Sequence, residues 1–145
     1  LKKQSIGEKE VFMARMIHSM LRVLDEQKSV AFYANTLGLA PVGRFEFDSF
    51  TLVYLANDEQ SFELELTINH GRTEPYALGD GYGHLAVSVA DVVAEHARMH
   101  AAGHPVTPVK TLQHEGTVIG QFFFLTDPDG YKIEVLQRGA PGRFI

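Results

Sequence analysis

Ile17-His18-Ser19-Met20-Leu21-Arg22-Val23-Leu24-Asp25 aligns without a gap onto Gly83-His84-Leu85-Ala86-Val87-Ser88-Val89-Ala90-Asp91, 66 residues further along the chain. In each copy a His opens a strand-like run, Val-x-Asp closes it, and a Gly (Gly38 or Gly103) follows at the distance of a short helix. Asp25 and Asp91 suit helix N-caps, because a carboxylate accepts from the free amides of the first turn. The glycines suit the left-handed C-terminal position. Val30, Ala31, Ala34 and Leu37 in the first copy recur at helical spacing, as do Val93, Ala94, Ala97 and Ala101 in the second. These two stripes are expected to face the core.

Each copy then runs into β-rich sequence. Strands are expected at 42–47, 50–56 and 61–67, and again at 106–111, 120–126 and 131–137. Turn signals such as Asn57-Asp58-Glu59-Gln60 and Asp127-Pro128-Asp129-Gly130 separate them. The order is βαβββ, twice: a first module over 16–75 and a second over 76–145, one domain spanning 16–138, with 1–15 as an N-terminal arm or cloning remnant. The fold class is α+β. Two such modules side by side give an eight-stranded, cup-shaped sheet with helices outside.

The last strand of each copy carries a Glu, Glu65 and Glu134, at nearly the offset of the histidines. Side chains alternate across a strand. Glu65 therefore lies opposite Leu64 and Leu66, Glu134 opposite Ile133 and Val135, and His18 shares a face with Met20 and Arg22. Each polar candidate opposes an apolar face, as a lining position of the cup requires. Two imidazoles and two carboxylates make an N₂O₂ donor set suited to nickel, cobalt, zinc or manganese, with coordination positions left open for chemistry. A lone strand His or Glu is ordinarily structural or solvated, but ordinary surface residues have no reason to recur in register.

Composition narrows the classes. The chain has no Cys, which excludes disulfides, a thiolate nucleophile and iron–sulfur ligation, so any metal is held by nitrogen and oxygen. A net charge of -5 with scattered Lys and Arg argues against nucleic acid. No apolar run reaches membrane-span length. The polar first ten residues lack a secretory leader pattern, and a cytoplasmic location is expected. His96 and His100 sit four apart on the second helix without a third ligand, and read as a solvated face. His104 and His114 are expected in loops, and His70 after the Asn69 turn; none is assigned a catalytic role.

Four segments carry a resemblance: His18-Ser19-Met20-Leu21-Arg22-Val23, Glu63-Leu64-Glu65-Leu66-Thr67-Ile68-Asn69-His70-Gly71, Gly81-Tyr82-Gly83-His84-Leu85-Ala86, and Asp127-Pro128-Asp129-Gly130-Tyr131-Lys132-Ile133-Glu134. Together they resemble glyoxalase I, or lactoylglutathione lyase, of the vicinal oxygen chelate superfamily. The resemblance implies a carbon–sulfur lyase that isomerises the hemithioacetal of methylglyoxal and glutathione to S-lactoylglutathione, detoxifying methylglyoxal. It implies one divalent metal per site, held by His18, Glu65, His84 and Glu134. It also implies a homodimer in which His18 and Glu65 of one chain meet His84 and Glu134 of its partner at the interface.

By the same resemblance Glu134 is the principal base and Glu65 its counterpart for the opposite face of the substrate, the proton passing by way of a metal-bound enediolate. Arg22 and Asn69 are implied to grip glutathione, with His84 also at the substrate. A His rather than Gln in the first ligand position, and the short chain, resemble the nickel- or cobalt-activated branch more than the zinc-activated one. Two departures stand out: His70 occupies a position usually aromatic, and 110–120 reads as a longer loop in which Lys110 has no assigned counterpart. Among rivals on the same fold, an extradiol dioxygenase holds iron with two His and one Glu, which leaves Glu65 without a role. A drug- or ligand-binding module generally lacks the tetrad.

Overall fold

The computed structural model describes residues 2–6 and 9–145, with side chains from Phe12 onward. β1 (Lys2–Ile6) and β2 (Lys9–Met13) pair with each other as an antiparallel ribbon ahead of the repeated units. The first unit comprises β3 (His18–Arg22), α1 (Glu26–Leu37), β4 (Ala40–Glu46), β5 (Phe50–Ala56) and β6 (Glu63–Asn69). The second comprises β7 (Leu85–Val89), α2 (Val92–Ala101), β8 (Lys110–His114), β9 (Thr117–Thr126) and β10 (Lys132–Gln137). The α+β class and the doubled βαβββ order are as expected. The eight strands divide between two four-stranded sheets, ordered β3-β6-β5-β4 and β7-β10-β9-β8. In each, the first strand lies at an edge and pairs in parallel with the last, while the remaining pairs are antiparallel.

The helix caps follow the sequence. Asp25 accepts from the Lys28 amide and Asp91 from the Ala94 amide, each at 3.0 Å. Gly38, at φ +66, turns the chain so that its own amide and that of Leu39 close onto the carbonyls of Ala34 and Tyr33. The expected apolar stripes coincide with the buried faces only in part: Val30 and Leu37 pack against the core. In α1 the residues turned inward are Ser29, Phe32, Tyr33 and Thr36, and in α2 they are Val92 and Met99; Ala31, Ala34, Val93, Ala94, Ala97 and Ala101 are exposed. Size decides this, since a buried aromatic ring removes far more area from water than an alanine methyl. The polar groups that go in with it are satisfied: Thr36 Oγ1 donates to the Phe32 carbonyl at 2.7 Å, and the Tyr33 hydroxyl to Asp127 at 2.7 Å.

The expected strand 106–111 and loop 110–120 are also revised. Val106 makes only an isolated bridge to Leu125, and the segment from Lys110 onward is a hairpin in which Gln113 pairs with Val118 and His114 with Thr117. His114 thus ends a strand. The two-residue turn places Glu115 at φ +49 and Gly116 at φ +79, a conformation normally announced by Asn-Gly or Asp-Gly. A Glu in the first position hides it from sequence reading.

The helix-covered faces of both sheets share one core, in which Tyr33, Leu55 and Leu66 of the first module meet Met99, Leu125 and Ile133 of the second. Arg98 bridges the modules by donating to the Asn35 and Thr36 carbonyls at 2.7 Å. On the opposite sheet faces, those of Glu65 and Glu134, Phe45 and Leu112 are about half exposed.

Candidate metal centre and substrate face

The parallel pairing of β3 with β6 sets Met20 beside Glu65, and that of β7 with β10 sets Ala86 beside Glu134. In both modules the carboxylate therefore lies opposite the residue two beyond the His. His18 Nε2 stands 2.9 Å from Glu65 Oε2, and His84 Nε2 stands 3.4 Å from Glu134 Oε2. The carboxylates are the more buried partner of each pair. Leu64, Leu66, Ile133 and Val135, on the reverse face, are buried, so the register is locked: a one-residue slip would expose them all.

Aromatic rings wall both pairs. Tyr54, directly across from Glu65 on β5, meets the His18 ring edge-on at 5.9 Å. Its partial burial, the Glu65 charge and a hydrogen bond to Glu65 hold its phenol above the usual tyrosine range. Phe124, across from Glu134 on β9, meets the His84 ring at 5.2 Å and Phe122 at 5.7 Å. Sequence reading missed Tyr54, because strand alternation places a residue on a face but does not say which neighbour stands across from it.

Each pair offers one imidazole nitrogen and one carboxylate oxygen, a donor set that fits a borderline divalent cation. Among the described residues no cluster of three or more His, Cys, Asp or Glu converges. Each four-stranded sheet carries one His–Glu pair, half of the expected donor set, while the helix-covered faces share the core. A cavity of about 980 Å³ does lie along the free edge of β7, between Leu64, Val87, Arg98 and Arg138, but it contains none of the four candidate ligands.

Arg22 and Asn69 occupy the Glu65 face, with Thr67 between them in register. Arg22 is exposed, and its guanidinium has no acidic partner among the described residues. The Asn69 amide donates to the Tyr76 hydroxyl at 3.0 Å. His70 serves a different end: its ring nitrogens bond Thr51 Oγ1 at 2.8 Å and the Asp48 carbonyl at 3.1 Å, tying the β4–β5 turn to β6. His96 stacks on His100 and rests edge-on against Phe123, and His104 rests against Phe32. The chain's last residues were also silent in the sequence. Phe144 seats on Gly120, where an added Cβ would come within 2.8 Å of the ring, and Ser88 donates to the Ile145 carbonyl, so this segment walls the Glu134 face.

A doubled βαβββ unit with a His–Glu pair facing outward from each sheet defines a metal-binding fold class. Residues 15–135 match the family described as the Glyoxalase/Bleomycin resistance protein/Dioxygenase superfamily, and the chain belongs to it. It is 40% identical over 129 residues to the lactoylglutathione lyase of Neisseria meningitidis serogroup A, covering 86% of this chain and 91% of that protein. It is 38% identical over 137 residues to the lactoylglutathione lyase of Salmonella typhimurium, covering 89% and 96%. Among solved structures, the trypanothione-dependent glyoxalase I of Leishmania major superposes with a TM-score of 0.70 at 36% identity, over 86% of this chain and 87% of that one.

Proposed function

We propose that this chain is a metal-dependent lactoylglutathione lyase, converting the hemithioacetal of methylglyoxal and glutathione into S-lactoylglutathione. The observation that carries the reading is the doubled His–Glu pair, in matching register on the two sheet faces turned away from the shared core. Since one chain holds two separate halves, a complete site takes His18 and Glu65 from one protomer with His84 and Glu134 of the partner subunit. A homodimer meets that need, and half-exposed Phe45 and Leu112 on the same faces give it apolar surface to bury. Among the described residues no helix is long and apolar enough to cross a membrane; a cytoplasmic enzyme is part of the proposal.

The reaction moves a carbon-bound proton. Glu134 takes it from the sulfur-bearing carbon and returns it to the adjacent former carbonyl carbon, so the product is an isomer and no oxidant is consumed. Phe122 and Phe124 beside Glu134 keep water from competing for that proton. Glu65 stands as the corresponding base on the opposite face of the substrate, with Tyr54 orienting its carboxylate. A divalent cation held by the four ligands would supply Lewis acidity toward the substrate oxygens, and nickel is the metal we expect. Arg22 grips a terminal carboxylate of the thiol through a charge-assisted pair, and Asn69 lies beside it.

The test is the rise in thioester absorbance when methylglyoxal and glutathione meet chelator-stripped protein reloaded with nickel, cobalt or zinc. Restoration by nickel or cobalt above zinc is expected. Inactivity with every metal would refute the assignment, and rescue by zinc alone would refute the choice of nickel.

A further inference from the structure

Asp-Gly occurs twice in the chain, at Asp80-Gly81 and at Asp129-Gly130. The step is chemically fragile. The Gly amide nitrogen attacks the protonated Asp carboxyl at Cγ, a carboxyl hydroxyl leaves with the amide proton as water, and a five-membered succinimide closes. Water then opens the ring at Cγ, restoring Asp, or at the α-carbonyl, giving isoaspartate. The isoaspartate chain runs through Cβ and Cγ and is one atom longer; the product is an isomer, so no oxidant or reductant is consumed. Glycine favours the attack because it has no Cβ to hinder its nitrogen and the backbone freedom to bring it close.

The fold treats the two steps oppositely. Both Asp129 carboxylate oxygens are engaged, Oδ1 by the Leu24 amide at 3.0 Å and Oδ2 by the Ser29 hydroxyl at 3.4 Å. The Asp129 amide donates to Asp127 Oδ1 at 2.9 Å, and the Gly130 amide donates to the Asp127 carbonyl at 3.0 Å. Ring closure there must first break bonds that join the two modules. Asp80 has no such restraint. It lies in an exposed turn with Gly79 and Gly81, and among the described residues neither its carboxylate nor the Gly81 amide has a partner.

This turn belongs to the tether between β6 and β7, close ahead of a candidate metal ligand. The next residue, Tyr82, is anchored by its ring, which meets Tyr131 edge-on at 6.3 Å, and the Tyr131 hydroxyl in turn donates to the Arg22 carbonyl at 2.9 Å. An added main-chain atom before that anchor has to be absorbed by Tyr82 or by His84 just beyond it. We propose that Asp80-Gly81 is a site of spontaneous isoaspartate formation in the folded protein, that Asp129-Gly130 is protected, and that conversion at Asp80 weakens the His84 half of the metal centre; the last clause rests on the metal reading above.

The experiment incubates the full-length protein at neutral pH in heavy-oxygen water, folded and in concentrated urea, since each passage through the ring adds one heavy oxygen. Trypsin places the two steps on separate peptides, 73–98 and 111–132. In urea both should label at similar rates. In the folded protein the Asp80 peptide should stay within a few fold of its urea rate, while the Asp129 peptide slows by about tenfold or more, the worth of one or two hydrogen bonds. Equal labelling of the two peptides in the folded protein, or an Asp80 peptide slowed as much as the other, would overturn the proposal. Gly81→Ala, whose added Cβ meets nothing within 4 Å, should abolish labelling at Asp80. Calorimetry with nickel alone reads the metal centre: aged parent should lose binding in proportion to its isoaspartate, and aged Gly81→Ala should keep it. Full nickel binding by converted protein would overturn the link to His84. If fresh parent binds no nickel, the metal reading fails, and the peptide labelling still decides the assignment of Asp80.

Discussion

Tyr33→Phe removes one oxygen from a fully buried ring and nothing else. That hydroxyl donates to Asp127 at 2.7 Å, across the module junction, and Asp127 is itself only 5% exposed. Hydrogen bonds to charged groups contribute about 1.5–3 kcal/mol. Two amides still reach Asp127 Oδ1 after the change, from Asp129 and Tyr131, which places the cost near the middle, about 2 kcal/mol. At about 3 °C per kcal/mol for a chain of this size, Tm should fall by about 6 °C.

The cost also carries a sign with pH. Burial holds the Asp127 carboxyl above the usual aspartate range, and the Tyr33 hydrogen bond pulls it back down. Without the hydroxyl the folded-state pKa climbs further. Between the two values the variant's native state binds more protons than the parent's, so its relative stability falls as pH rises through that window. Urea unfolding followed by circular dichroism, at neutral pH and near the ordinary aspartate pKa, measures both effects at one protein concentration. A neutral-pH cost below about 0.5 kcal/mol, or a cost that grows on acidification, would refute the reasoning.

Glu134→Gln should fold and assemble as the parent does while kcat drops by about 10²–10⁴, the range for a lost general base; near-parental turnover would remove that role. Arg22→Ala should raise KM for the hemithioacetal with kcat little changed, and an unaltered KM would take Arg22 out of the binding face. Glu115→Asn, at a non-glycine position held at φ +49, should stabilise the β8–β9 hairpin by a few tenths to about 1 kcal/mol. Thermal unfolding checks the last, and a loss of stability there would mean that the Glu side chain makes a contribution outweighing its backbone conformation.

What was legible in the sequence followed from periodicity with one dominant solution. The repeated His and Glu, the Asp caps and the alternation around Leu64, Glu65 and Leu66 each depend on local geometry alone, and each recurs in the structure. On α1 the spacing places Val30 and Leu37 against the core, but Ala31 and Ala34 give way to Phe32 and Tyr33, whose ring volume outweighs the count of apolar letters. Tyr54, Tyr76 and Tyr131 were invisible for another reason: their contacts depend on which strand or loop lies across from them, a tertiary relation that no spacing encodes. The hairpin after Lys110 escaped because a glutamate stands where turn chemistry favours Asn or Asp.

In the proposed homodimer, each protomer would bring half a complement to two different reaction centres. Two inactive proteins, one lacking His18 and Glu65 and the other lacking Glu134, would then cure each other on mixing. Random exchange of subunits would make about a quarter of all centres whole, so the proposed assembly carries genetic complementation between dead alleles as its consequence.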